Sequence, residues 1–321
     1  MNSRISVSGS FGRDRQPVAK LIDTKATRSD MVANRHDEPR NRGAIWSLVV
    51  ATIAISFAAI FFVKAQPTHP LVSAGLRLTM AAAIMFPVSA RYFKLMPNRA
   101  LIRCVFAGLC YATHFGAWVW SLMLTSVAAS TTLVTATPLF LGLIGWLTGR
   151  DKPTKTLWVT LGLASGGIIL ISHGSAGAGD APMLGNGLAL LGALGMVGYL
   201  LLARGLATYS PWAILTIASG VGGGVLLLTA ACLGVPVEAA STDAFFWIVM
   251  ATLIPQLIGH TALTYSLRFA PPTAVAMATV AEPAGAALLA WLILAETITI
   301  NVVIGCAITI FAVACAARNH Q

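Results

Sequence analysis

One acidic residue, Glu282, lies deep within a long apolar stretch of the chain, and no other acidic residue is so placed. A charge inside a bilayer costs about 2.5–3.5 kcal/mol on insertion scales, so it needs a reason to be there. The carboxyl group could carry a proton or pair with a substrate amine. It could equally be a structural group that hydrogen-bonds neighbouring backbone and braces a bend at Pro283. The sequence leaves both interpretations open.

Two histidines, His114 and His260, lie at the middle of two further apolar stretches. Because imidazole titrates near neutral pH, the pair could relay protons or bind a carboxylate. Each could instead be a neutral core histidine that hydrogen-bonds a carbonyl or a threonine. Helical spacing places other polar and aromatic residues near them, although helix packing alone could explain Trp118 and Tyr199. The further candidates for a substrate cavity are Gln256, Trp118, Tyr199 and Thr135, with Tyr111, Thr132 and Thr264 on the same faces.

Prolines and glycines at particular positions predict how these helices bend and pack. Pro138 and Pro283 each remove one helical hydrogen bond, which predicts a kink and a mechanical role in helix movement. Small residues let helices approach closely in lipid. Close helix contacts are therefore predicted at Gly192, Gly195, Gly198, Gly162 and Gly166.

The composition predicts that the helices carrying these residues lie in a lipid bilayer. Of 321 residues, 57% are hydrophobic and 10% are charged, against roughly 25% charged residues in soluble domains. A bilayer-spanning helix needs roughly 20 apolar residues, and ten stretches qualify. The sequence thus predicts an all-α polytopic membrane protein with ten transmembrane helices. They are expected near 44–64, 70–90, 100–122, 127–148, 155–173, 184–204, 211–233, 245–267, 272–294 and 298–317.

Basic residues predict the orientation of these spans. Outside the tail 1–42, ten lysines and arginines fall on one side of the bilayer and only Lys64 falls on the other. The positive-inside rule then places both termini in the cytoplasm of a multi-pass inner (plasma) membrane protein. Arg77 lies within the second span, roughly 10 Å from its outer end. It could attract an anionic group, but we expect a structural role in which its stem reaches outward to the interface.

The tail, residues 1–42, is basic and lacks the apolar core of a signal peptide. We expect it to be disordered and cytoplasmic. Met31 is a second candidate for the start of translation, since the apolar part of the chain begins near Gly43.

A constant offset of 145 residues relates the two halves of the apolar region. It aligns Trp120 with Tyr265, Pro138 with Pro283, Trp146 with Trp291 and Asp151 with Glu296. The halves, near 43–173 and 184–318, hold five predicted spans each. An odd number of spans forces the second copy to enter the membrane upside down, so two inverted five-helix repeats are predicted. Inverted repeats are typical of transporters with a substrate site near the midplane.

The segments Thr125–Ala129, Thr137–Leu139, Ala281–Pro283 and Leu294–Glu296 resemble the EamA-type transporters of the drug/metabolite transporter superfamily. One departure is Asp151 in Gly-Arg-Asp, where the family usually has Gly-Glu. The resemblance covers nearly all of residues 43–318. It implies a bundle with pseudo-two-fold symmetry and alternating access. Most members of the family export amino acids and related metabolites, and some import vitamins.

We therefore expect a secondary transporter, an efflux protein for a small polar metabolite with protons as a candidate coupling ion. Import of a vitamin or cofactor precursor is an alternative within the same fold. A membrane-embedded transferase is a second alternative, which would need clustered His, Asp or Glu at one interface. No nucleotide-binding motif and no Cys/His metal spacing is present, so no enzyme activity, cofactor or metal is expected. The net charge of +10 follows from membrane orientation and predicts no nucleic-acid partner.

Overall fold

The computed structural model describes residues 43, 45–148, 155–174, 181–295 and 299–318. The contacts between residues divide the chain into two compact units, Met1–Gly43 and Ala44–Gln321. The helices described below belong to the second unit. The predicted tail 1–42 lies outside the described residues, as do Asp151 and Glu296.

Within these residues, every regular element is helical, and ten helices follow one another along the chain. Eight of them are long and apolar enough to cross a membrane. That α5 and α10, helices of 20 and 19 residues, also span the bilayer remains a prediction. The helices α1 to α10 are Ile45–Lys64, Pro70–Phe93, Asn98–Leu124, Val127–Thr148, Lys155–Gly174, Pro182–Arg204, Pro211–Cys232, Thr242–Ser266, Pro272–Leu294 and Ile300–Arg318.

Helices that occupy equivalent places in the two halves pack on each other. These pairs are α2 with α7, α4 with α9 and α5 with α10, as a two-fold axis between the halves requires. In α4 and α9, the first part of each helix contacts the second part of the other. The two helices therefore run antiparallel, which is the relation expected between inverted copies.

Both α4 and α9 are interrupted near their middle. The first part of α4 ends at Val134 and its second part begins at Thr137, whereas α9 is interrupted between Thr279 and Glu282. Each interruption comes just before the predicted proline, because proline fits the first turn of a helix but not its interior. The hydroxyl groups of Thr135 and Thr279 donate to carbonyls of the preceding turn, which satisfies backbone that the interruption leaves unpaired.

Helix α8 contains a nine-residue π-helical segment, Thr252–His260, that the sequence pattern did not predict. Pro255 lies inside it, and both Gln256 and His260 belong to it. π-Helical turns are rare and occur frequently at functional sites. The segment therefore places two of the predicted site residues on the least regular part of the bundle.

Glycines on α6 allow this helix to lie directly against α3. A Cβ atom at Gly195 would come within 2.6 Å of the backbone nitrogen of His114, and one at Gly198 within 2.6 Å of the Cys110 sulfur. The predicted close contact at Gly162 and Gly166 is absent, since no described atom lies within 4 Å of a Cβ built at either. Both glycines lie on an exposed part of α5.

Candidate functional site

A small cavity lies at the centre of the bundle, between α1, α3, α4, α6, α8 and α9. Its volume of about 30 Å³ admits roughly two water molecules, so the cavity is closed to anything larger. The apolar part of its wall includes Ile55, Ala58, Val134, Met196, Leu200 and Leu263. The remaining lining residues are His114, Trp118, Thr135, Thr137, His260, Thr279 and Glu282.

Glu282 is the acidic residue of this wall, and it begins the second part of α9. Its side chain is 8% exposed. No hydrogen bond joins its carboxylate to a described residue, so the backbone-bracing alternative has no contact to support it. The positive end of the half-helix dipole lies at this position and favours negative charge there.

The two histidines face the cavity from α3 and α8, and each is held through its Nδ1 atom. His114 Nδ1 is 2.9 Å from the Gly192 carbonyl oxygen, which can only accept, so His114 carries its proton on Nδ1. His260 Nδ1 is hydrogen-bonded to the Tyr111 hydroxyl at 3.1 Å. The Nε2 atoms of both rings have no hydrogen bond to a described residue. Both rings thus keep one nitrogen for a ligand or a proton.

Trp118 stacks on the ring of His114, with centroids 6.1 Å apart and planes 12° apart. Its indole nitrogen is buried and has no hydrogen-bond partner in the described structure. Because indole N–H groups usually find a partner when buried, this donor is unusual and lies on a residue of the cavity wall.

Two of the predicted site residues lie near the cavity but do not line it. Gln256 accepts a hydrogen bond from Nη2 of Arg77 at 2.9 Å and donates one to Ser219 at 3.3 Å, which joins α8 to α2 and α7. The Tyr199 hydroxyl pairs with Thr264 at 2.6 Å. Both side chains are fully buried in contacts between helices.

Arg77 does not reach outward to the interface as we expected. Its side chain is 0% exposed, and the guanidinium lies over the ring of Phe115 at 4.4 Å and near that of Phe62 at 5.3 Å. Apart from the bond to Gln256, its Nε and Nη1 atoms have no partner in the described structure. Stacking on two aromatic rings stabilises the buried cation. To reach the interface instead, the side chain would have to pass between packed helices. Arg77 is also the cation whose electrostatic field reaches Glu282.

Thr137 and Thr279 line the cavity although the sequence did not single them out. A signal for Thr137 was available, because the 145-residue offset aligns it with Glu282. The two repeats therefore place a hydroxyl and a carboxyl group at equivalent points, each just before the proline of an interrupted helix. Among the described residues, no group of three or more His, Cys, Asp or Glu side chains could hold a metal ion.

Long apolar helices surround this polar centre. Their large exposed side chains include Trp46, Leu228 and Phe311. Together with the antiparallel repeats, these features define a multi-pass membrane protein of transporter architecture. The model of the EamA-like transporter family matches residues 41–173 and again residues 183–318. The chain therefore belongs to the EamA-like transporter family, within the drug/metabolite transporter superfamily.

Comparison with solved structures agrees on the fold. One chain, titled "Crystal structure of protein", superposes with a TM-score of 0.70 and is 17% identical. The match covers 87% of the present chain and 98% of that one. No curated protein sequence matches.

Proposed function

We propose that the protein is a proton-coupled secondary transporter that exports a small polar metabolite through the central cavity. The observation that carries this proposal is Glu282, an acidic side chain in the cavity wall with no described hydrogen-bond partner. A carboxylate left without partners in an apolar bundle is costly unless a proton or a cationic cargo group neutralises it. A proton and the cargo could then not bind Glu282 at the same time, which is what the exchange of one for the other across the membrane requires.

The interrupted helices supply a route for the movement. Two inverted repeats of five spans, meeting at α4 and α9, would open the cavity first to one side and then to the other. The pivots would be the interruptions that precede Pro138 and Pro283, because a helix bends most easily where its backbone bonds are missing. His114, His260, Trp118 and Thr135 would contact the cargo once the cavity widens. Gln256 and Tyr199 would act from behind the wall by holding α8 in place.

Flux measurements in proteoliposomes test the coupling. Vesicles containing the full chain are loaded with a mixture of the standard amino acids, and efflux is followed with and without a pH gradient. We expect the gradient to accelerate efflux with the native chain and to have no effect with Glu282→Gln. Glu238→Gln, which removes an exposed acid away from the cavity, is the control and should behave like the native chain. An unchanged gradient response in Glu282→Gln would refute the assignment.

Comparing cells with and without the gene tests the direction. Export predicts that a metabolite accumulates outside cells that carry the gene and inside cells that lack it. The reverse distribution, with uptake at low external concentration, would replace export by import.

A further inference from the structure

A second and much larger cavity lies away from the centre, as a groove of about 950 Å³ on the side of the bundle. It is bounded by the start of α1, the second half of α8, and the connections α2–α3 and α6–α7. The walls are mostly apolar, with Val50, Leu95 and Ile258 among them. Trp46 and Ile258 are 68% and 50% exposed on this face. The groove therefore opens sideways, toward the space that lipid occupies.

Two arginines lie near this groove: Arg268 lines it, and Arg91 contacts Tyr92, which also lines it. Arg91 donates to the Tyr92 hydroxyl at 3.0 Å and lies 4.8 Å from the centre of that ring. Arg268 donates to the Tyr209 carbonyl oxygen at 2.6 Å and lies 5.9 Å from the Tyr265 ring. No acidic side chain pairs with either guanidinium in the described part of the chain. The positive charge of these two arginines is thus oriented but not neutralised.

This combination of charge and shape selects one kind of occupant. Arginine binds phosphate through charge-assisted and often bidentate hydrogen bonds. Tyrosine and tryptophan mark the depth of the lipid headgroups, and basic pockets between membrane helices bind anionic headgroups. We propose that an anionic phospholipid binds in this groove. Its phosphate lies between Arg91 and Arg268, and an acyl chain lies along the apolar wall past Val50 and Ile258.

The bound lipid would contact the helix that carries part of the central site. Leu257 and Ile258 of the π-helical segment line the groove, whereas His260 of the same segment lines the central cavity. Between the two spaces, α1 and α8 touch closely, since a Cβ atom at Gly259 would come within 2.7 Å of Ile55. The groove and the central cavity therefore lie on two faces of the same π-helical segment.

Lipid titration of the purified full chain, followed by native mass spectrometry, tests the proposal. The probes are dioleoylphosphatidylglycerol, which is anionic, and dioleoylphosphatidylcholine, which is zwitterionic. We expect the native chain to bind phosphatidylglycerol in preference to phosphatidylcholine. The double variant Arg91→Gln/Arg268→Gln should bind phosphatidylglycerol about thirtyfold more weakly, since each basic residue near the membrane surface contributes about one kcal/mol. Arg103→Gln removes an exposed arginine that, unlike Arg91 and Arg268, has no described contact with a residue lining the groove, and it should leave the preference unchanged.

A second variant separates the groove from a merely basic surface. Val50→Trp narrows the apolar part of the groove where the acyl chain would lie and keeps both arginines, so it should also weaken the preference for phosphatidylglycerol. If it retains the preference, the lipid binds at surface charge and the proposal is wrong. Equal binding of the two lipids by the native chain would overturn it as well, whether or not the variants fold. So would a preference that appears only after residues 1–42 are deleted, because the tail would then be the occupant.

Discussion

The imidazole rings of His114 and His260 face each other across the central cavity, with their centroids 6.5 Å apart. In sequence, however, the two residues are one position out of step with the 145-residue repeat offset. The π-helical segment that ends at His260 accounts for the difference, since its i→i+5 hydrogen bonds take more residues per turn than an α-helix. The wider winding accommodates the extra residue and keeps the two rings opposite each other.

The close contact between α3 and α6 predicts a strong effect of Gly195→Ala. The added methyl group would come within 2.6 Å of the His114 backbone nitrogen, and backbone cannot move aside cheaply. We expect a loss of about 1–3 kcal/mol in the free energy of unfolding, measured by denaturation of the purified protein. Gly224→Ala, where no described atom lies within 4 Å, should cost nothing. Equal stability of the two variants would show that the helices are less closely packed than described.

The Arg77–Gln256 pair predicts a non-additive effect on stability. Gln256→Leu leaves the buried guanidinium with no hydrogen bond, and we expect the free energy of unfolding to fall by about 2 kcal/mol. Adding Arg77→Met removes the stranded charge, so the double variant should be more stable than Gln256→Leu alone. The four proteins of this cycle can be compared by thermal unfolding. Simple addition of the two single effects would contradict a direct interaction.

The interruption in α9 predicts that Pro283→Ala slows transport. Alanine restores a backbone N–H that can bond toward the carbonyl of Thr279 and so joins the two parts of the helix. We expect a higher unfolding temperature and a transport rate that is several-fold lower, with KM little changed. The control is Pro272→Ala, at the first residue of α9, where the missing N–H has no helical acceptor anyway. An unchanged transport rate in Pro283→Ala would show that the interruption in α9 is not a pivot of the movement.

His69 predicts a pH dependence of stability that is separate from transport. It caps α2, where its Nδ1 accepts a hydrogen bond from the Leu71 backbone at 3.3 Å. Burial lowers the pKa of His69 below its ordinary value of about 6.5. The folded state therefore binds the proton less readily than the unfolded chain. This contribution to stability is complete above pH 6.5 or so and is lost as the pH falls through the folded-state pKa.

A variant without a titratable cap isolates this effect. His69→Asn keeps a side chain that caps helices well and does not titrate. Its unfolding temperature should fall less than that of the native chain between about pH 7.5 and pH 5.5. Identical pH profiles for the two proteins would assign the dependence to other groups.

The sequence predicted α1 to α4 and α6 to α9 because a bilayer imposes strict requirements on the helices that cross it, and it predicted the repeat because residues of the two halves align at a constant offset. A helix in a bilayer must be long and apolar, so hydropathy alone located α1 and α8 to within a few residues. The same constraint explains Glu282, since an ionisable residue in an apolar span must face the interior. Pro138 and Pro283 were informative for a related reason, because proline in the interior of a helix removes a backbone hydrogen bond.

Helical spacing could not distinguish polar residues that face the cavity from polar residues that pair with a neighbouring helix. Glu282 and His260 face the cavity, whereas Gln256 and Tyr199 are used in contacts between helices, although all four share the same inward pattern. The choice depends on which helix packs opposite, and helical spacing within one span carries no such information. Arg77 was placed wrongly because depth and stem length say nothing of the aromatic rings of Phe62 and Phe115, which belong to other helices.

If the protein carries protons as proposed, the buried guanidinium of Arg77 also affects which other cations can enter the transport path. A transport path that held only a carboxylate would attract sodium and potassium and could short-circuit the gradient that drives it. A permanent positive charge beside the path raises the energy of any inorganic cation that enters, as an arginine does in pores that exclude cations. The desolvation cost of burying the guanidinium would thus be balanced by the exclusion of inorganic cations from the transport path.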